Sequence, residues 1–426
     1  MIGYFHRNVI FLAVVGHVAS MTPSVLLGAE SAEAPQRSKV TLTEAARRVH
    51  AKALLIDGHN DLPWELRVQG SLSFERLDLA QPQATLQTDI PRLRQGGVGA
   101  QFWSVYVPAN TAYDGTALIA TLEQIEMVNA MIDRYSDTFE LALTVDDIER
   151  IHAAGKIASL IGVEGGHAIE NSLNVLRQLY RMGARYMTLT HSDTLNWADS
   201  ATDESRNGGL SPFGEDVVTA MNRLGMLVDL SHVSPDTMKD ALRVSLAPVI
   251  FSHSSARAIA DHPRNVPDDV LKLVAKSGGV VMVNFYSGFV VPEAAECGVL
   301  RMEFQNKLEE THDDIELKVA LRKWDSLHPM PRGSIHNVID HIDHIIQVAG
   351  IDHVGIGSDF DGVSILPEQL EDVSAYPLIT QALLDRGYQE EEILKILGGN
   401  LLRVMRQAEQ VAQRLSDERS SASGSR

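Results

Sequence analysis

Cysteine is nearly absent: Cys297 is the single one in 426 residues. An intramolecular disulfide is therefore excluded, and so is a metal centre built on thiolates. Positive charge is also short. There are 37 Lys and Arg against 56 Asp and Glu, a net charge of −19, and no basic stripe breaks the acidic background. Nucleic acid and anionic membrane surfaces are poor partners for such a chain. Long apolar runs are missing too. The run at 9–15 follows His6 and Arg7 and is too short for a comfortable membrane span. With Ala32-Glu33-Ala34 further on, it has the layout of an export signal. Residues 1–34 are thus expected to be a signal peptide. The mature protein is expected to be secreted, into the periplasm, with no membrane anchor after processing; an uncleaved anchor is the alternative. The polar stretch 413–426 is expected to be disordered, and it lacks the apolar end of a lipid-anchor signal.

Between these ends, 41–412 shows neither an internal repeat nor a linker, so it is expected to fold as a single domain. Apolar runs recur at 53–57, 99–107, 157–163, 184–190, 226–230, 248–252, 280–285 and 353–357. Most are continuous rather than alternating, as in parallel strands buried on both faces. Helical patterns separate most of them, at 116–135, 171–182, 214–224, 235–244 and 267–276. A long crossover holds further helices around 304–324 and 335–348, and 390–411 reads as a closing helix. Eight strands alternating with helices predict an α/β protein of the (β/α)8 TIM-type barrel class. An open doubly wound sheet is the competing arrangement.

Most of these runs end in residues that can bind metal. The first runs into His59-Asn60-Asp61, the third into Glu164-Gly165-Gly166-His167, the fourth into His191, the fifth into Ser231-His232, the sixth into Ser252-His253, and the eighth into Asp359-Phe360-Asp361. Any one of these alone reads as a hydrogen-bonded core or loop residue. In a barrel, however, all these strand ends converge on one face, where active sites lie. His59 and Asp61, two apart, would point the same way in extended backbone and chelate one ion. Glu164 is placed to bridge a second ion, which His232 and His253 complete. Carboxylates and imidazoles without thiolate suit catalytic zinc, or manganese or iron by the same logic. Asp57 and Asp229 either orient the imidazoles or are simply buried carboxylates. His167 reads as a cap or loop residue. Asn196, Trp197 and Asp199 either line the pocket or sit in a solvated loop.

The strings His59-Asn60-Asp61-Leu62, Gly162-Val163-Glu164-Gly165-Gly166, Leu189-Thr190-His191, Asp229-Leu230-Ser231-His232 and Phe251-Ser252-His253-Ser254-Ser255 resemble the membrane dipeptidase (renal dipeptidase) family. So do Arg264-Asn265-Val266-Pro267-Asp268-Asp269 and Gly357-Ser358-Asp359-Phe360-Asp361-Gly362. The resemblance implies a metal-dependent barrel hydrolase with two zinc ions per chain. His59, Asp61 and Glu164 would hold one, and Glu164, His232 and His253 the other, with Glu164 bridging. It further implies that His191 contacts the scissile carbonyl, that Arg264 grips the substrate's C-terminal carboxylate, and that Asp359 faces the attacking water. Dipeptides would be the substrates, including those with a C-terminal D-residue. The disulfides of animal members are not expected in a chain with one Cys, nor their lipid anchor where no anchor signal is read, and Phe289 stands where those members place a substrate-binding tyrosine.

The expected chemistry is attack by a metal-bridging hydroxide. His191 would help to hold the oxyanion, and Asp359 would carry the proton to the leaving amine. Asp361 competes with Asp359 for that role. For Arg264 the competing reading is a surface ion pair with Asp268 or Asp269. Two other functions compete. One is a different metal-dependent amidohydrolase on the same barrel, such as a cyclic amidase or an esterase. The other is a non-catalytic envelope protein that binds a metal or a peptide. A homodimer is compatible with the sequence.

Overall fold

The computed structural model describes residues 37–309 and 314–424; residues 1–34, expected to be a signal peptide, lie outside them. Nine parallel strands run in chain order: β1 Leu55–Asn60, β2 Val98–Tyr106, β3 Phe139–Leu141, β4 Ile157–Glu164, β5 Ala184–Thr188, β6 Leu227–Asp229, β7 Ile250–Phe251, β8 Val280–Val283 and β9 Val354–Ile356. Eight of them close into a ring. β1 pairs with β2, β2 with β4, and so on round to β9, which returns to β1. The pairings of β2 with β4 and of β9 with β1 exclude the open sheet and establish a (β/α)8 barrel.

The eight expected runs supply the eight barrel strands. β3 was not anticipated. It is three residues long and only partly buried, so it carries no apolar run. It borders β4 from Phe139↔Ile157 to Leu141↔Ser159, the stretch below the point where β5 takes over that edge at Ile161↔Ala184.

All residues of β1, β4, β5, β6 and β8 are buried, as two-sided packing requires. Ile56, Phe102, Leu160, Tyr186, Ile250, Val280 and Met282 belong to one core cluster, which also takes in Leu401, Val404 and Met405 of the last helix. The last helix therefore stoppers the bottom of the barrel and leaves the opposite mouth for chemistry. It runs Asn400–Gly424, so most of the stretch expected to be disordered is helical. Gln413, Arg414, Leu415, Glu418 and Arg419 favour helix, and Gln413 Nε2 donates to Asp417 one turn on at 2.9 Å. Low hydrophobicity was a poor guide because the helix grows from a packed N-terminal half. The other crossover helices lie close to their expected spans, for example Ala117–Arg134, Pro235–Val244 and Ile335–Ala349. Among the described residues no helix is long and apolar enough to cross a membrane.

Candidate metal centre

The mouth of the barrel gathers the strand-end residues. β1 carries a bulge there: Asp57 pairs with Gln101, but Asn60 pairs with Trp103. Such an extra residue re-aims side chains at barrel rims. Asp61 has left the strand and stands just before helix Leu62–Val68 with φ −94° and ψ 17°. The expectation of two extended residues on one side therefore fails in its reason. The outcome survives, because His59 Nε2 lies 3.1 Å from Asp61 Oδ2.

Glu164, the last residue of β4, sits at the centre with its two oxygens facing different partners. Oε2 lies 3.5 Å from His59 Nε2. Oε1 lies 3.0 Å from His232 Nε2, 3.4 Å from His253 Nε2 and 3.8 Å from His191 Nε2. Asp359 Oδ1 approaches His59 Nε2 at 4.0 Å. The sets His59/Glu164/His253, Glu164/His191/His232 and His59/Asp61/Asp359 each bring their ligand atoms within 4.8 Å of one another. Three carboxylates and four imidazoles thus share one site, all of them drawn from the expected residues.

The electrostatics follow from burial and mutual charge. Burial opposes ionisation of Glu164, yet the imidazoles of His59, His232 and His253 hold its carboxyl well below the usual range. Burial, with Arg264 and His191 adding to it, pushes His232 well down. Burial and His59 do the same to His253. His59 behaves oppositely: burial would lower it, but Tyr186, Glu164 and Asp61 raise it well above the usual value. Burial pushes Asp359 up to about 8, with Asp61 and Glu164 adding to the effect.

The donor set fits a divalent cation. His59 Nε2 is buried with no hydrogen-bond partner, although it faces two carboxylates. A buried polar atom left in this state is costly unless an ion completes it. Nitrogen and carboxylate donors without sulfur match zinc in a catalytic setting.

Around this cluster lies a cavity of about 500 Å³ lined by Trp64, Tyr106, Arg264, Tyr286, Phe289 and the metal-binding candidates other than His59. Arg264 is 4% exposed. Its Nη1 reaches Ser254 Oγ at 3.4 Å and its Nη2 the His253 carbonyl at 3.3 Å. Its guanidinium lies 5.2 Å from the Phe289 ring. Burial lowers its pKa to about 10, so it remains a cation at neutral pH. The competing surface pair is absent: Asp268 pairs with His344 and Asp269 with Lys239, both at 2.8 Å.

Several supporting residues went unnoticed in the sequence. Asn284, just after β8, donates to Asp359 Oδ2 at 2.7 Å. Ser252 Oγ stands 2.8 Å from His253 Nδ1 and donates to Asp229 Oδ2 at 2.6 Å. A polar residue at a strand end was the available signal for both. Tyr186 lies inside an apolar strand and gave none. Asp229 therefore reaches an imidazole through a serine. Asp57 reaches none and instead accepts from Ser358 N, Ser358 Oγ and Tyr376 Oη at 2.7–2.8 Å. Asp361 accepts from Gln87 N at 2.6 Å, which ties it to a neighbouring loop. His167 Nε2 meets the Val107 carbonyl at 3.0 Å, away from the cluster. Trp197 and Asp199 do not line the cavity. Trp197 is core, and Asp199 accepts from Arg206 N, Asn207 N and Gly209 N at 2.9–3.0 Å, which folds the loop after His191. Asn196 lines a separate hollow with Tyr113 and Arg206.

The family model described as membrane dipeptidase (peptidase family M19) matches residues 43–419. Dipeptidase 3 of Mus musculus is 41% identical over 365 residues, which cover 84% of this chain and 65% of that protein; the chain thus spans just under two thirds of its length. Among solved structures, the probable dipeptidase PvdM from Pseudomonas aeruginosa superposes with a TM-score of 0.75 at 24% identity, over 86% of this chain and 98% of that one. A metallo peptidase from Rhodobacter sphaeroides, liganded with a phosphinate mimic of the dipeptide L-Ala-D-Ala, gives 0.69 at 24% identity, over 84% and 99%. Both structural likenesses concern the fold.

Proposed function

Because the chain belongs to the membrane dipeptidase family, peptidase family M19, we propose that it is a metallo-dipeptidase working with two zinc ions bridged by Glu164. The observation that carries this is the split of the Glu164 carboxylate, one oxygen toward His59 and the other toward His232 and His253. His59, Asp61 and Glu164 would hold one ion, and Glu164, His232 and His253 the other. Bound zinc supplies Lewis acidity and lowers the pKa of water from about 15.7 to roughly 7, which makes a nucleophile available at neutral pH.

The chain's own residues do the rest. Arg264 offers a planar fork that pairs bidentately with a carboxylate, and it is buried beside the cluster. A substrate whose C-terminal carboxylate docks there would lie in the cavity that Glu164 also lines, and a chain extended beyond that carboxylate would lose the pairing. His191, on the cavity wall, would contact the scissile carbonyl and help to hold the oxyanion. Asp359, fixed by Asn284, would take the proton of the attacking water and deliver it to the leaving amine. Acceptance of a C-terminal D-residue is part of the same reading. It is supported by the ligand of the Rhodobacter protein.

The test combines metal analysis of the purified protein with turnover of a dipeptide library carrying L- and D-residues at the C-terminal position. Two equivalents of zinc and turnover of dipeptides, but not of their C-terminal amides, are expected. A protein that binds two zinc ions and hydrolyses no dipeptide would refute the reading.

A further inference from the structure

We propose that Tyr186 is a positioning residue for one of the two metal positions, because it decides which ring nitrogen of His59 carries the proton; this rests on the two-ion reading above. Tyr186 is fully buried inside the barrel. Its hydroxyl lies 2.8 Å from His59 Nδ1 and 3.3 Å from the Gly58 carbonyl. A carbonyl oxygen can only accept. The single phenolic proton therefore goes to Gly58, and the phenolic oxygen accepts N–H from His59 Nδ1. Nε2 is then a bare lone pair. It faces Asp61 Oδ2 at 3.1 Å and Glu164 Oε2 at 3.5 Å and has no hydrogen-bond partner. Three acceptors converge, and a cation satisfies all of them.

The second imidazole is set by different chemistry. His253 Nδ1 lies 2.8 Å from Ser252 Oγ, whose proton goes to Asp229 Oδ2 at 2.6 Å. One metal position thus leans on a neutral phenol, and the other on a carboxylate relayed through serine. Outer partners of this kind orient metal-binding histidines, and their removal typically costs about 10–100-fold in metal affinity. The barrel makes room for the phenol at a specific place. Gly162 on β4 is the register partner of Tyr186, and a Cβ there would stand 2.0 Å from the tyrosine Cζ.

The experiment uses the full-length protein and Tyr186→Phe, with zinc binding measured by competition against a chromophoric chelator. The wild type is measured first. Two ions are expected; fewer would overturn the two-ion reading and this proposal with it. The variant should keep one ion at unchanged affinity and bind the other about 10–100-fold more weakly. At limiting zinc its kcat should fall and be restored by added zinc, while KM for a dipeptide stays within about twofold, since Arg264 is untouched. Ser252→Ala should weaken the other ion instead. A Tyr186→Phe protein that holds both ions at wild-type affinity, or weakens both alike, overturns the proposal. Nitrogen-15 spectra of the zinc-loaded wild type give an independent reading that does not depend on how the variant folds. A His59 with its proton on Nε2 overturns the proposal, and one with its proton on Nδ1 supports it.

Discussion

Arg264→Ala separates substrate anchoring from every other contribution of the site. The guanidinium is buried, and among the described residues no carboxylate lies within the 4 Å of an ion pair. Its hydrogen bonds, at 3.3 and 3.4 Å, are long. Two charge-assisted bonds to a substrate carboxylate contribute about 1.5–3 kcal/mol each. Truncation should therefore remove roughly 3–6 kcal/mol of binding, a fall of about 10²–10⁴-fold in kcat/KM at about 1.4 kcal/mol per factor of ten. Stability should change little. Removing one partner of a buried ion pair strands the other charge, but here no partner is stranded; the contact with Phe289 is worth about 0.5–2 kcal/mol. The assay is kcat/KM for one dipeptide and for its C-terminal amide in both proteins. The dipeptide should lose the full factor while the amide, already poor in the wild type, stays nearly unchanged. Equal losses on both substrates would show that Arg264 supports the site in general and does not recognise the carboxylate. Arg264→Lys, which keeps the charge without the fork, should recover only part of the loss.

Four further outcomes follow from the geometry. Asp359→Asn should lower kcat about 10²–10⁴-fold and leave zinc content at two equivalents, as metal analysis would reveal. Asn284→Ala removes the bond to Asp359 Oδ2 and should lower kcat with little change in KM; an unchanged kcat counts against its positioning role. Chelation should abolish activity and lower Tm, because a ligand bound only to the native state stabilises it and its removal leaves Asp61, Glu164 and Asp359 facing one another; zinc should restore both. Asp199 is held below its usual pKa: burial raises it, but the amides of Arg206 and Gly209, with Ser205 and Asn207, outweigh burial. A lowered native pKa gives stability that is present above the unfolded value, about 3.9, and lost as pH falls toward the native one. Asp199→Asn should therefore lower the urea midpoint at pH 7, and the gap to wild type should narrow below about pH 4. A gap that is constant with pH would refute this account.

The barrel and the candidate metal-binding residues were legible because both are written into short local patterns. A strand buried on two faces needs an uninterrupted apolar run, and the residue that ends it at the mouth must be polar. His59, Glu164, His232 and His253 each stand at such a break. Asp61 was found for the wrong reason, since the bulge in β1 depends on pairing with β2 and leaves no trace in the residues themselves. Tyr186 stayed hidden because a tyrosine in an apolar strand reads as packing; only the position of its hydroxyl against residue 59, 127 positions away, gives it a role. β3 and the second half of the last helix were missed for a common reason. Each is supported by a neighbouring element and not by hydrophobic content of its own.

The ring is sealed by β1 and β9, which share the single register pair Asp57↔Ile356, and by the bonds from Ser358 and Tyr376 to Asp57, which reach back about three hundred positions. His59 and Asp359 face each other only across that seam. A nascent chain emerging from the ribosome thus carries His59 long before the far side of the mouth exists. The approach of Asp359 to His59 is a late event, possible only when the final strand has docked against the first.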